Sequence, residues 1–191
     1  GFGADCGAEK FFDIKCRQSG LVPDAAVLVT SVRALKSHSG LFNIKSGRKI
    51  DNAIYKENLE ALEMGCTNLK KQIENIRIFG IPCVVAVNRF ATDTPHELHL
   101  VKMIASHSGA FDCVVSEVYG VGSKGGVDLA NAVDKAAGTK SEFKPLYTLG
   151  MPIKEKIDVI ARRIYGAKNV HYSPIAEENI ARFQKLGFGK L

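Results

Sequence analysis

Between Ile81 and Thr94 the chain reads Ile-Pro-Cys-Val-Val-Ala-Val-Asn-Arg-Phe-Ala-Thr-Asp-Thr, a continuous apolar run that turns polar within one residue. A β-branched run with no polar alternation is the pattern of a strand covered on both faces, and Pro82 fits it because it stands at the start. Strands of that kind belong to parallel sheets, whose neighbours are reached through helical crossovers. This one stretch therefore predicts an α/β fold with a parallel-rich sheet. It also predicts where the chemistry sits, because ligands of open α/β sheets bind beyond the carboxyl ends of the strands. Here that end presents Asn88, Phe90, Thr92 and Asp93. Asn88 and Asp93 can hydrogen-bond the edge of a heterocycle, and Phe90 offers a face on which it can stack. The same residues also suit a plain β-α turn in which Asp93 or Thr94 caps the next helix, with Pro95 at its first position.

Two further runs repeat the pattern. Ala25 to Ser31, entered through the turn residues Val22-Pro-Asp24, ends in Val32-Arg-Ala-Leu-Lys-Ser-His38. Arg33 is the residue there best suited to grip a phosphate or carboxylate bidentately, while Lys36 and His38 read as solvated loop residues. Asp112 to Ser116 ends in Glu117-Val-Tyr-Gly-Val-Gly-Ser-Lys-Gly-Gly126, a glycine-rich loop that makes Tyr119 available opposite Phe90. Its lysine stands between Ser and Gly, so it is not the phosphate loop G-x-x-x-x-G-K-[ST], which occurs nowhere in these residues. Another glycine-rich stretch, Gly1-Phe-Gly-Ala-Asp-Cys-Gly7, is expected as a turn ahead of a helix over residues 8–17. It is either a close-approach loop favouring an anion or a flexible turn. No strand precedes it and no Met opens the chain, so the 191 residues are expected to be part of a longer protein.

The segments between the runs carry helical spacing. From Asn52 to Phe79, Ile54, Leu59, Leu62, Leu69, Ile73 and Ile76 predict two helices or one bent near Gly65, with Glu60, Glu63, Lys70, Lys71 and Glu74 on a solvated face. Residues 95–107, 127–137, 152–165 and 174–186 are further expected helices, residues 39–51 a loop and residues 169–172 a short strand. Thr, Ser, Pro and Tyr collect over residues 138–150 and predict a seam there. The expected division is residues 1–142, part of an α/β ligand-binding domain, and residues 143–191, the beginning of a smaller α+β domain.

Composition narrows the function. With 46% hydrophobic residues the chain has ample material for a core, and no apolar run approaches the roughly 20 residues that cross a bilayer. A cytoplasmic protein without a membrane partner is expected. The net charge of +6 suits anionic small molecules, but the basic residues are dispersed and the five tyrosines and ten phenylalanines form no array among them, so nucleic acid is not an expected partner. Five cysteines without a C-x-x-C pair read as reduced thiols, mostly buried. His96 and His99 are three apart, but no third ligand has suitable spacing, and no protein-held metal site is expected.

Several longer motifs, in order, carry a resemblance. Gly1-Phe-Gly-Ala-Asp5 with Gly7-Ala-Glu-Lys-Phe-Phe-Asp-Ile-Lys-Cys-Arg17, Val32-Arg-Ala-Leu-Lys36, Asn68-Leu-Lys-Lys-Gln-Ile-Glu-Asn75 and Val87-Asn-Arg-Phe-Ala-Thr-Asp-Thr94 are the most specific. His107-Ser-Gly-Ala-Phe-Asp112, Lys156-Ile-Asp-Val-Ile-Ala161, Ile164-Tyr-Gly-Ala167 and Gly187-Phe-Gly-Lys-Leu191 extend them. Over essentially all 191 residues the chain resembles the formate-tetrahydrofolate ligases, also called formyltetrahydrofolate synthetases. The resemblance implies an α/β fold related to the P-loop NTPases, with the phosphate loop outside these residues. It implies a ligase, homo-oligomeric at full length, whose substrates are formate, tetrahydrofolate and ATP with magnesium, activated by a monovalent cation. Formate is phosphorylated to formyl phosphate, and the folate amine then takes the formyl group to give 10-formyltetrahydrofolate, ADP and phosphate.

Carried onto this chain, Phe90 matches the aromatic that packs on the folate ring in the motif Asn-x-Phe-x-x-Asp-Thr, whose Asn and Asp are Asn88 and Asp93. Tyr119 stands where the family usually has tryptophan as the second wall, and Phe2 and Asp5 match the first glycine-rich motif. These residues then supply the folate side of the site and do not turn over ATP and formate by themselves. After Lys36 the family commonly reads Met-His-Gly-Gly, whereas this chain has Ser37-His-Ser-Gly40 and so lacks one glycine of that loop. A competing expectation is a nucleotide- or folate-binding module without turnover.

Overall fold

The computed structural model describes residues 3–42, 44, 47 and 50–190. They divide into two compact units, residues 23–142 and residues 1–22 together with 143–191. One division between them falls after Glu142, and residues 1–22 group with the C-terminal segment.

In the smaller unit, residues 3–19 are helical throughout. Wider π turns at Gly3–Gly7 and Phe11–Cys16 alternate with single α turns, α1 (Ala8–Lys10) and α2 (Arg17–Ser19). The glycine-rich stretch is thus wound from Gly3 onward, not an open turn. Phe12 and Cys16 are buried along it, and Asp13 accepts the Leu146 N–H at 2.8 Å.

The larger unit is built on β1 (Ala26–Thr30), β2 (Cys83–Asn88) and β3 (Asp112–Ser116), in the order β1-β2-β3 and all parallel. Thr30 pairs with Val87 and Asn88 with Ser116, so all three carboxyl ends reach the same edge. Between β1 and β2 run α3 (Val32–Ser37), a 3-10 turn at Asn52–Tyr55 and α4 (Leu59–Arg77). Between β2 and β3 runs α5 (Pro95–His107). The two crossovers pack α4 against α5 on the sheet, where Leu62, Leu69, Ile73, Val101 and Ala105 are buried. After β3 come the short α6 (Val118–Val121), a 3-10 segment at Gly122–Gly126 and α7 (Val127–Ala137), whose Ala132 and Ala136 pack on Val84. Cys83 to Val87 of β2 are all buried, as a strand covered on both faces requires.

Of the two alternatives expected here the chain forms a single helix: α4 is continuous from Leu59 to Arg77, and Leu59 is exposed at its start. Gly65 has another cause. A Cβ there would lie 1.8 Å from the Leu35 carbonyl oxygen, so glycine is what lets α3 cross α4 backbone to side. In the smaller unit α8 (Ile153–Arg163) and α9 (Pro174–Lys185) form as helices, while residues 169–172 are not a strand. Asn169 to Tyr172 had the composition of a strand but no neighbour to complete a ladder, and an unpaired strand is not stable.

Candidate functional site

The loops after the three strands share one edge of the larger unit, and they bring several of the sequence-predicted residues together. Phe90 lies in the turn after β2, held by a reciprocal pair: its N–H donates to Asp93 Oδ2 at 2.8 Å, and Asp93 N–H donates to the Phe90 carbonyl at 3.0 Å. Burial pushes the Asp93 carboxyl above its ordinary value, with the Phe90 N–H pulling it down and the neighbouring Glu97 charge pushing it up again. Asp93 thus orients the Phe90 backbone. Thr94 caps α5, accepting the Glu97 N–H, while Glu97 Oε2 accepts the Thr94 N–H at 3.2 Å, a reciprocal capping box with Pro95 at the first helical position.

Arg33, on the first turn of α3, stacks on the rings of both Phe90 and Tyr55. Its guanidinium carbon is 4.1 Å from the Phe90 centroid and 5.3 Å from that of Tyr55. Contacts of this kind contribute about 0.5–1 kcal/mol where exposed and more where water is excluded. Among the described residues Arg33 has these two ring contacts and no hydrogen bond or ion pair, so its N–H groups remain able to receive an anion.

Phe90 and Tyr119 line a single open cleft of about 530 Å³, with Arg89, Ala91, Glu117, Gly120 and Val121. Phe90 is 40% exposed and Tyr119, on α6, is 99% exposed, so both rings are available to a ligand. Arg89 reaches across from the β2 end to the β3 end, donating to Glu117 Oε1 at 2.9 Å, while Arg89 N–H donates to the Ser116 carbonyl at 3.0 Å. The expected loop at 117–126 is instead two short helical turns. Glu117 N–H is returned to the Gly125 carbonyl at 3.0 Å, and a Cβ on Gly125 would meet the Glu117 carbonyl carbon at 2.5 Å. Asn88 is exposed at the end of β2, at the base of the same edge. Asp5 belongs to the smaller unit, where its Oδ1 accepts the Cys6 N–H at 2.6 Å. Phe2 lies outside the described residues.

Lys36 overturns its reading as a solvated residue. It is 2% exposed, and its Nζ donates to Glu97 Oε1 at 2.7 Å and to the Lys56 carbonyl at 2.9 Å. Glu97 is fully buried, and its Oε1 also accepts the Asn58 N–H at 3.1 Å. Glu57 accepts from the Thr94 hydroxyl, which holds its carboxyl below the ordinary value, with His96 Nδ1 3.3 Å away. Tyr55, Glu97 and Glu57 escaped the sequence reading. The spacing Thr94-x-x-Glu97 was a legible capping signal, but nothing local pointed from Glu97 to Lys36.

An all-parallel sheet thus gathers an aromatic cleft and an arginine without hydrogen bonds beyond its strand ends, the place where open α/β sheets hold their ligands. The family model described as formate--tetrahydrofolate ligase matches residues 1–191, and the chain belongs to that family. It is 49% identical over its whole length to the formate--tetrahydrofolate ligase of Roseiflexus castenholzii, covering 34% of that protein. It is 50% identical to the cytoplasmic C-1-tetrahydrofolate synthase of Homo sapiens and to the mitochondrial monofunctional C1-tetrahydrofolate synthase of Mus musculus, again over its whole length and covering 20% of each. The chain thus spans about a third or a fifth of the relatives it matches.

Proposed function

We propose that the complete protein ligates formate to tetrahydrofolate at the expense of ATP, and that residues 23–142 contribute the folate side of its site. In this reading ATP phosphorylates formate to formyl phosphate with release of ADP. The amine at position ten of the folate then attacks the formyl carbon, phosphate leaves, and 10-formyltetrahydrofolate forms. The observation that carries the reading is the cleft shared by Phe90 and Tyr119 at the carboxyl edge of the parallel sheet, in a chain of this family. A pterin is flat and apolar on its faces and rich in donors and acceptors on its edge, and two aromatic side chains with Arg89 in the lining and Asn88 exposed at the nearby end of β2 match both. The Arg33 guanidinium, 4.1 Å from the Phe90 ring centroid, draws on the ring's electrons and helps fix its plane.

The rest follows from the same reading. Arg33 with its free N–H groups is the residue here that meets an oxyanion, and Phe2 and Asp5 of the first glycine-rich motif are taken as further substrate-binding residues. The sheet is taken as one of the P-loop NTPase type. ATP with magnesium and an activating monovalent cation belong to the proposed reaction, and no step is assigned to a metal here. The cytoplasm is the proposed compartment, as in the human relative's name.

Phe90→Ala in the complete protein tests the reading. It should raise the folate KM by a factor corresponding to roughly 1–3 kcal/mol, as lost base stacking does, and leave the ATP KM nearly unchanged. A well-folded variant with the parent's folate KM would refute it.

A further inference from the structure

The three side chains that stack together come from segments distant in the sequence. Arg33 is on α3, Tyr55 ends the turn at Asn52–Tyr55, and Phe90 precedes α5. One buried ion pair touches all three segments. Lys36, one helical turn beyond Arg33, donates to Glu97 Oε1 and to the carbonyl of Lys56, the residue after Tyr55. Glu97 Oε1 accepts the Asn58 N–H, and Glu97 Oε2 accepts the N–H of Thr94, the residue after Asp93, whose carboxylate holds the Phe90 N–H. Asn58 in turn caps α4 through the Ala61 N–H at 2.8 Å.

Stability alone does not account for such a pair. Two buried charges are expensive to desolvate, and apolar residues of similar volume often replace them without loss. An apolar pair has no means, however, of making the three hydrogen bonds that tie the backbone of Lys56, Asn58 and Thr94 to a single point. Each member of the stack is therefore referenced to the same buried anchor, and preorganised side chains bind with less entropy lost.

We propose that Lys36 and Glu97 are positioning residues for the ligand, holding Arg33, Tyr55 and Phe90 in one arrangement so that the Phe90 ring meets the pterin already oriented. The inference rests on the folate reading of the cleft. Neither residue contacts the ligand; both act through the stack.

The test uses the complete protein with Lys36→Met/Glu97→Leu, which keeps a dry core without the anchor, and with Glu97→Gln, which keeps the shape and removes the charge. Folate and ATP KM, kcat and melting temperature are measured for each, alone and combined with Phe90→Ala. The double variant should raise the folate KM about tenfold and move the ATP KM by less than about twofold, and Glu97→Gln should do the same to a smaller degree. Both increases should vanish on the Phe90→Ala background, because residues that act through one another are not additive. A folded anchor variant with the parent's folate KM overturns the proposal, as does an increase that persists in full without Phe90. If Phe90→Ala alone leaves the folate KM unchanged, the folate reading fails and the inference falls with it. An intact Phe90 effect beside silent anchor variants removes the positioning role alone.

Discussion

Replacing Gly65 by alanine should destabilise the protein, even though alanine is the better helix former by about 1 kcal/mol. Gly65 is buried inside α4, and the new Cβ would stand 1.8 Å from the Leu35 carbonyl oxygen, 2.6 Å from its carbon and 3.4 Å from the Lys36 nitrogen. These are backbone atoms of α3, so no rotamer change relieves the clash. The helix must retreat by roughly 1.5 Å or more to reach ordinary contact distance. Overpacking costs typically 1–3 kcal/mol, and a rigid backbone neighbour puts this case at the upper end, leaving a net loss of about 1–2 kcal/mol after the propensity gain. Because α3 carries Arg33 and Lys36, the retreat should also weaken folate binding. Urea unfolding of the variant beside its parent measures the loss, and Gly120→Ala is the matched control. Gly120 is helical with nothing within 4 Å of its Cβ position, so alanine there should be neutral or slightly stabilising. A Gly65→Ala variant as stable as the parent, at unchanged denaturant sensitivity, would refute the argument.

Two further outcomes are expected from buried titratable groups. Burial, reinforced by the neighbouring Asp13, pushes the Glu9 carboxyl from 4.5 up to about 7, and burial raises Asp13 as well. The proton held there stabilises the folded chain fully below the ordinary carboxylate value and that stabilisation is lost as pH rises through about 7. The urea midpoint should accordingly fall between about pH 5 and about pH 8, and Glu9→Gln should flatten the fall; an unaltered slope would count against the assignment. Burial also pushes the thiols of Cys83 and Cys113 up to about 12 and that of Cys66 to about 11, while Cys16 is buried and Cys6 is exposed. At mildly alkaline pH a thiol reagent should label Cys6 rapidly and the other four only after denaturation, which mass spectrometry of the labelled peptides reads directly.

The parallel sheet was legible because its cause is local. A run such as Cys83-Val-Val-Ala-Val87 has no polar residue to offer to water on either face, so wherever it folds it must be covered twice. The bounds of α5 and α7 were legible for a similar reason: Thr94-Pro95 and Gly138 mark chain direction within a turn of where they stand. Once the strands are read, the strand-end rule points at Arg33, Phe90 and Tyr119. What α/β logic did not supply is how those residues are held. Lys36 reads as a solvated lysine because its partner Glu97 lies 61 residues further on, and Gly65 reads as a helix weakness because the Leu35 carbonyl that requires it belongs to another helix. Sequence alone determined the three strands and the helices α5, α7, α8 and α9, since burial pattern and capping act over a few residues, whereas residues 3–7, 117–126 and 169–172 took forms it did not indicate. Which charge is buried, which glycine is obligatory and which arginine stacks on Phe90 were decided only by tertiary structure, because each depends on an atom that the chain brings near by folding.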